Sequence, residues 1–217
     1  RSFEQMVGQE HVVRALSNAL VQQRLHHAYL FTGTRGIGKT TVSRILAKSL
    51  NCTGPDGSGG ITATPCGVCS ACVEIDEDRY MDYVELDAAS NRGIDEARDL
   101  LERAAYKPGI GRFKVFMIDE AHQLTKDAFS ALLKTLEEPP GQARLVLSTA
   151  DEARLLPTVR SRCQRIRLAA PPADQAAAWL EEQGVRDAPV LLAAAGGAPL
   201  AARDLAAAGV DAAAWLA

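Results

Sequence analysis

Three things are scarce in this 217-residue sequence: aromatic side chains, net charge and long apolar runs. Phe, Trp and Tyr make up 5% of the chain, and 24 basic residues against 27 acidic ones leave a net charge of −3. That balance excludes a broadly basic nucleic-acid binder, although a local basic channel remains compatible with it. No apolar stretch approaches the length of a membrane-spanning helix, and no basic-then-apolar leader opens the sequence, which starts at Arg1. With 47% hydrophobic and 24% charged residues, the composition is that of a soluble globular protein, long enough for one large domain or two unequal ones.

What is present is concentrated in a few short motifs. Gly33-Thr34-Arg35-Gly36-Ile37-Gly38-Lys39-Thr40 is a complete GxxxxGK[ST] loop. It lies between an apolar run, Ala28 to Phe31, and a helix-like stretch, Thr41 to Leu50, with Val42, Ile45, Leu46 and Leu50 on one face. Strand, loop and helix in that order are what a phosphate-binding loop needs; an isolated match would be an ordinary Gly-rich turn. The glycines let consecutive backbone N–H groups face an anion, and the helix N-terminus adds partial positive charge. Lys39 is placed for the β/γ-phosphates and the Thr40 hydroxyl for Mg²⁺. Further on, Lys114 to Glu120 is an apolar run closed by two acids. Asp119 is positioned to hold Mg²⁺, and Glu120 to orient or deprotonate an attacking water. These motifs predict binding and hydrolysis of a nucleoside triphosphate.

Cysteine is unevenly used. Cys66, Cys69 and Cys72 form CxxCxxC, with Cys52 upstream across a Gly-rich stretch. Four converging thiolates would make a closed, structural Zn²⁺ site, which the spacing favours over its rivals, a disulfide pair in a secreted chain or chance clustering. Cys163 stands apart and reads as a packed residue.

Periodicity predicts a helix over 3–25, strands at 28–32, 83–87, 114–118, 145–149 and 164–168, and helices at about 39–50, 94–105 and 125–137. Alternating strands and helices imply a parallel sheet covered on both faces. The cysteine segment, about 52–80, interrupts the alternation. Pro171-Pro172 marks a break, after which the sequence turns Ala-rich and helical. The expected division is therefore 1–168 and 169–217. Arg160, Arg162, Arg165 and Arg167 alternate as a half-exposed strand would have them.

Several longer stretches resemble the gamma/tau subunit of the bacterial DNA polymerase III clamp loader. They are Val7 to His11, His26 to Phe31, the phosphate loop, Leu50-Asn51-Cys52, Thr62 to Cys69, Glu85 to Ser90 and Leu132 to Pro140. Beyond about residue 141, Leu147 to Asp151, Leu155 to Cys163, Ala169 to Pro172, Trp179-Leu180 and Gly196 to Leu200 are more similar to the delta-prime subunit of the same machine.

The resemblance implies an α/β fold: an AAA+ P-loop NTPase core with a parallel five-stranded sheet and a zinc-binding insert, followed by a small α-helical lid. It implies ATP, Mg²⁺ and Zn²⁺ as cofactors, and as partners sister clamp-loader subunits, the sliding clamp and primed DNA, in the bacterial cytoplasm. Carried over by position, nucleotide contacts fall on Val7, Gly33, Thr34, Gly36, Ile37, Gly38, Lys39, Thr40 and Thr41. Arg203 is the candidate lid arginine, about one helical turn beyond the family position, where Leu200 stands. Thr149 matches the residue that senses the γ-phosphate or its water. Arg162, in Ser161-Arg162-Cys163, matches the finger that reaches a neighbour's nucleotide. Arg98, Lys134 and Thr158 match DNA-backbone contacts. Against that family the sequence begins after a segment lining the adenine pocket and stops before the collar domain, so a stable oligomer is not expected of this stretch. The alternative reading is a delta-prime-like stator that supplies Arg162 while turning over little ATP.

Overall fold

In the computed structural model, residues 2–90, 99–100, 103–104, 106–138 and 141–210 are described. Five strands form one wholly parallel sheet: β1 (Ala28–Thr32), β2 (Tyr83–Asp87), β3 (Lys114–Asp119), β4 (Ala143–Thr149) and β5 (Gln164–Arg167), in the order β2-β3-β4-β1-β5. Pairing runs Thr32 with Thr149 and Asp87 with Asp119, so the C-terminal ends of four strands finish side by side. Because β1 sits between two strands that come later in the chain, its C-terminal end opens on a topological switch point, where open α/β sheets bind ligands.

Side-chain alternation along the strands divides the core in two. Tyr29, Phe31, Val115, Met117 and Val146 face α1 (Glu10–Val21) and α2 (Lys39–Asn51), where Leu16, Leu20, Ile45, Leu46 and Leu50 are buried. Leu30, Phe116, Ile118, Leu145 and Leu147 face the other way, against Leu132 and Leu136 of α4 (Lys126–Glu137) and Val159 of α5 (Pro157–Arg162). β1 is buried along its full length, as a central parallel strand with both faces covered must be. After β5 the chain forms α6 (Ala173–Glu182), α7 (Ala188–Ala194) and α8 (Pro199–Ala207), which share a separate small core of Ala176, Leu180, Ala188, Leu191, Leu192 and Ala202.

Three expectations need correction. The single helix over 3–25 is a short 3₁₀ turn at Phe3–Gln5 followed, after a break, by α1. Gly8 makes the break: its φ is +66°, and a Cβ there would lie 2.4 Å from Pro171 Cβ. The cysteine segment, where periodicity predicts no helix, contains α3 (Ser70–Asp76), begun just after Cys69. Arg160 and Arg162 do not alternate along a strand with Arg165 and Arg167; they end α5, which Pro157 starts at a position where its missing N–H is no loss. The helix expected at 94–105 falls largely outside the described residues, as does Arg98.

The insert is tied to the core by polar contacts from the β2–β3 connection. The Arg112 guanidinium donates to the carbonyls of Leu50, Gly59 and Cys52, while Asn51 Oδ1 accepts from the Arg112 and Phe113 N–H groups at 2.9 and 3.0 Å. Lys48, fully buried on α2, pairs with Asp76 of α3 at 2.7 Å.

Gly8→Ala is expected to destabilise the fold by about 1–3 kcal/mol, through the left-handed backbone and the clash with Pro171. Equilibrium urea unfolding measures this; an unchanged midpoint would contradict the packing described here.

Candidate functional site: a phosphate loop facing an acidic strand end

Gly33, Gly36 and Gly38 take φ values of +149°, +72° and +102°, winding the chain from β1 into the first turn of α2. At Gly36 a Cβ would lie 2.5 Å from Ala201 Cβ, so only glycine lets α8 approach the loop this closely. Lys39, the first residue of α2, is 6% exposed, and its ammonium donates to the carbonyls of Gly33 at 2.8 Å and Thr34 at 2.9 Å. Burial lowers its pKa, an effect opposed by the carboxylates of Glu120 and Asp119.

Asp119 joins three elements at the end of β3. Its Oδ2 accepts from the Thr40 hydroxyl on α2 at 3.2 Å, and its Oδ1 accepts from the Ser148 hydroxyl on β4 and from the Glu120 N–H. Glu120 is a non-glycine residue in the left-handed region, φ +48° and ψ 44°. That conformation costs on the order of 1–3 kcal/mol and clusters at functional positions. It turns the Glu120 carboxylate towards Arg35 of the loop, with Nε to Oε1 at 3.2 Å.

Arg35, Lys39, Thr40, Asp87, Asp119, Glu120, Leu200, Arg203 and Asp204 line one cleft of ≈ 580 Å³. Beside it a small pocket is walled by Met6, Val7, Ile37, Gly38, Thr41, Trp179 and Leu200. Val7, Ile37, Thr41 and Arg203 thus adjoin the loop, and Arg203 reaches the cleft although it stands one turn beyond Leu200. Its guanidinium lies 3.3 Å from Asp204. Thr149 is fully buried beside this cleft's floor, bonded to His122 Nδ1 at 2.9 Å, and its carbonyl accepts from the Gly33 N–H.

Arg162 is elsewhere. It bridges Glu137 at 2.7 Å and the Thr158 carbonyl at 2.9 Å, and is not among the residues lining its own chain's cleft. Lys134 and Thr158 are exposed on the two helices this bridge joins. Arg35, His122 and Ser148 escaped the sequence reading. Arg35 fills a variable position of the motif, His122 follows the acidic pair by two residues, and Ser148 precedes Thr149; only the fold brings them to Asp119 and Glu120.

The Sγ atoms of Cys52, Cys66, Cys69 and Cys72 all lie within 4.8 Å of one another. Backbone N–H groups of Gly54 and Cys66 point at Cys52 Sγ at 3.4 and 3.3 Å, and that of Cys69 at Cys66 Sγ at 3.3 Å. Such donors suit thiolates. Burial pushes the Cys69 thiol up, but donors from Thr53 and Cys72 outweigh it and bring it to about 6; burial pushes Cys72 upward.

A parallel sheet in which an inner strand feeds a phosphate loop, with an acid-tipped strand two places away and a helical cluster after the sheet, is the AAA+ P-loop architecture. The chain belongs to the family described as DNA polymerase III, delta subunit, whose model matches residues 8–172. It is 51% identical over 181 residues to DNA polymerase III subunit tau of Escherichia coli, covering 83% of this chain and 27% of that protein. Over 208 residues it is 47% identical to DNA polymerase III subunit gamma/tau of Mycobacterium tuberculosis, covering 91% and 35% respectively. The chain therefore spans roughly a quarter to a third of these relatives. Among solved structures, the RuvB Holliday junction branch migration motor of Thermotoga maritima superposes with a TM-score of 0.64 at 21% identity, covering 94% of this chain and 62% of that one. A DNA polymerase III gamma subunit-related protein of the same organism gives 0.52 at 22%, covering 91% and 58%. At these identities the structural likeness shows the fold.

Burial pushes the Cys163 thiol up to about 12. Its contribution to stability is complete below the unfolded thiol's pKa, about 8.5, and is lost as pH rises towards the folded value. Native-state alkylation at pH 8 read by mass spectrometry is expected to leave Cys163 unmodified; ready labelling would contradict its burial.

Proposed function

We propose that this chain is an ATP-binding and ATP-hydrolysing subunit of a DNA polymerase III clamp loader, coupling ATP to loading of the sliding clamp on primed DNA. The observation that carries this reading is the convergence of Lys39, Thr40, Asp119 and Glu120 on one cleft. The loop N–H groups and Lys39 would hold the phosphates, and the small apolar pocket beside Val7, Ile37 and Thr41 would take the base. The donor set between Thr40 and Asp119 is hard oxygen, which fits Mg²⁺. Bound Mg²⁺ supplies neutralisation of phosphate charge; the chain's own groups do the rest. Lys39 adds a cation, and the Glu120 carboxylate, with Oε2 buried and without a hydrogen bond, orients a water and takes its proton.

Residues 1–168 act as the ATPase core and 169–217 as the lid, which brings Arg203 to the nucleotide. Arg162 serves the neighbouring subunit: its place away from its own cleft supports action in trans, so the isolated chain hydrolyses ATP slowly. Lys134, Thr158 and Arg98 follow the DNA backbone, reading duplex shape and no base sequence. Cys52, Cys66, Cys69 and Cys72 would hold a structural Zn²⁺, which would tie the insert together. Among the described residues no single helix is long and apolar enough to cross a membrane, which accords with a bacterial cytoplasmic machine. The second reading, a stator that donates Arg162 with little turnover of its own, is supported by that same outward placement and by the delta-subunit family match.

Nucleotide titration and turnover with sister subunits, clamp and primed DNA separate the two. Lys39→Ala is expected to weaken ATP binding, and Glu120→Gln to bind ATP yet lose on the order of 10²–10⁴ in turnover. Equal affinity of wild type and Lys39→Ala would remove the motor reading. Elemental analysis is expected to find one zinc ion per chain, and Cys69→Ser to lower Tm with loss of that ion; a metal-free chain of undiminished Tm would refute the zinc site.

A further inference from the structure

His122 has no part in the motifs above, yet it occupies the space between the two groups closest to the expected chemistry. Glu120, in its left-handed conformation, starts the 3₁₀ turn Ala121–Gln123, and that turn swings the His122 ring inward until the side chain is 7% exposed. There Nδ1 lies 2.9 Å from Thr149 Oγ1 and 3.3 Å from Glu120 Oε2, and Nε2 lies 3.3 Å from the Gln123 side-chain amide.

The contacts are met best by one tautomer. Thr149 Oγ1 accepts from the Asp151 N–H and is within donating distance of the Asp151 carbonyl, both at 3.0 Å, so its own hydrogen has a partner already. The Glu120 carboxylate offers acceptors alone. Nδ1 must therefore carry a hydrogen, directed at the Thr149 oxygen and inclined towards Glu120 Oε2. Nε2 is then the acceptor, which is what the Gln123 amide donor requires. One Nδ1–H imidazole thus meets both Thr149 and Gln123.

We infer that His122 is a positioning residue that locks the Thr149 hydroxyl and the Glu120 carboxylate into one unit, so that the group meeting the terminal phosphate and the group meeting the water are set together. This rests on the ATPase reading. On the far side Arg35 holds Glu120 Oε1 at 3.2 Å, leaving Oε2 as the buried oxygen without a hydrogen bond, next to the imidazole N–H. The N–H lies 3.3 Å from that oxygen but its hydrogen bond goes to Thr149, so Oε2 is left without one and keeps its capacity to accept a proton. Without the ring, the Glu120 side chain has only exposed Arg35 to hold it, and Thr149 turns independently.

The test uses the chain assembled with sister subunits, clamp and primed DNA. His122→Leu is expected to lower kcat roughly tenfold or more, while ATP KM and directly titrated affinity change less than about threefold. His122→Asn, which places an amide N–H near the Nδ1 position, is expected to recover most of the loss. An Asn variant no better than Leu, or a defect confined to KM, would overturn the inference. NMR of the wild-type chain labelled with ¹⁵N-histidine gives a readout independent of turnover. A neutral Nδ1–H ring whose Nδ1 resonance moves in Thr149→Val is expected; an Nε2–H ring or an unmoved resonance would overturn it. Should wild type turn over no ATP in any mixture, the ATPase reading falls, and the resonances still decide what His122 holds.

Discussion

The Asp119 carboxylate is the contact on which the rest of the architecture depends. It receives the Thr40 hydroxyl from α2, the Ser148 hydroxyl from β4 and the N–H of Glu120, and so fixes the start of the phosphate-loop helix against the ends of two strands. The hydrogen bonds to this half-buried carboxylate come from the elements that must stay in register for the loop to face the acids. The chain leaves the strand end by a left-handed turn at Glu120, which places the Glu120 side chain at the cleft and the His122 ring beside it.

α2 carries this order to the opposite end of the molecule. It begins at Lys39, among the phosphate-loop carbonyls, and ends at Asn51, next to the first cysteine of the cluster. Between them Lys48 is buried against Asp76, and at the far end Asn51 and Arg112 stitch the insert to the β2–β3 connection. One thirteen-residue helix thus joins the loop to the cysteine module. Leu46, Ile45 and Leu50 pack it on the sheet.

Much of this was legible in the sequence because the signals are local. The five expected strands are present, two with the expected bounds and three with shifts of one or two residues. The loop motif and the acid pair meet because parallel β-α-β order puts strand ends together. The misses have non-local causes. Gly8 breaks the first helix because Pro171, far along the chain, packs on it. α3 was hidden because cysteine spacing, not apolar period, dominates residues 66–72. Arg35, His122 and Ser148 carry no motif of their own and acquire their positions from the turn at Glu120 and the pairing of β3 with β4. Arg203 looked displaced along the chain, yet α8 lies so close to Gly36 that a one-turn offset still ends at the cleft.

The account stands or falls on where a triphosphate settles. A crystal structure with Mg²⁺ and a non-hydrolysable ATP analogue is expected to show the phosphates inside the Gly33–Thr40 loop, with the ion between Thr40 and Asp119 in place of their 3.2 Å hydrogen bond. Phosphates bound elsewhere, or a loop left empty with the Thr40–Asp119 bond intact at saturating analogue, would contradict it.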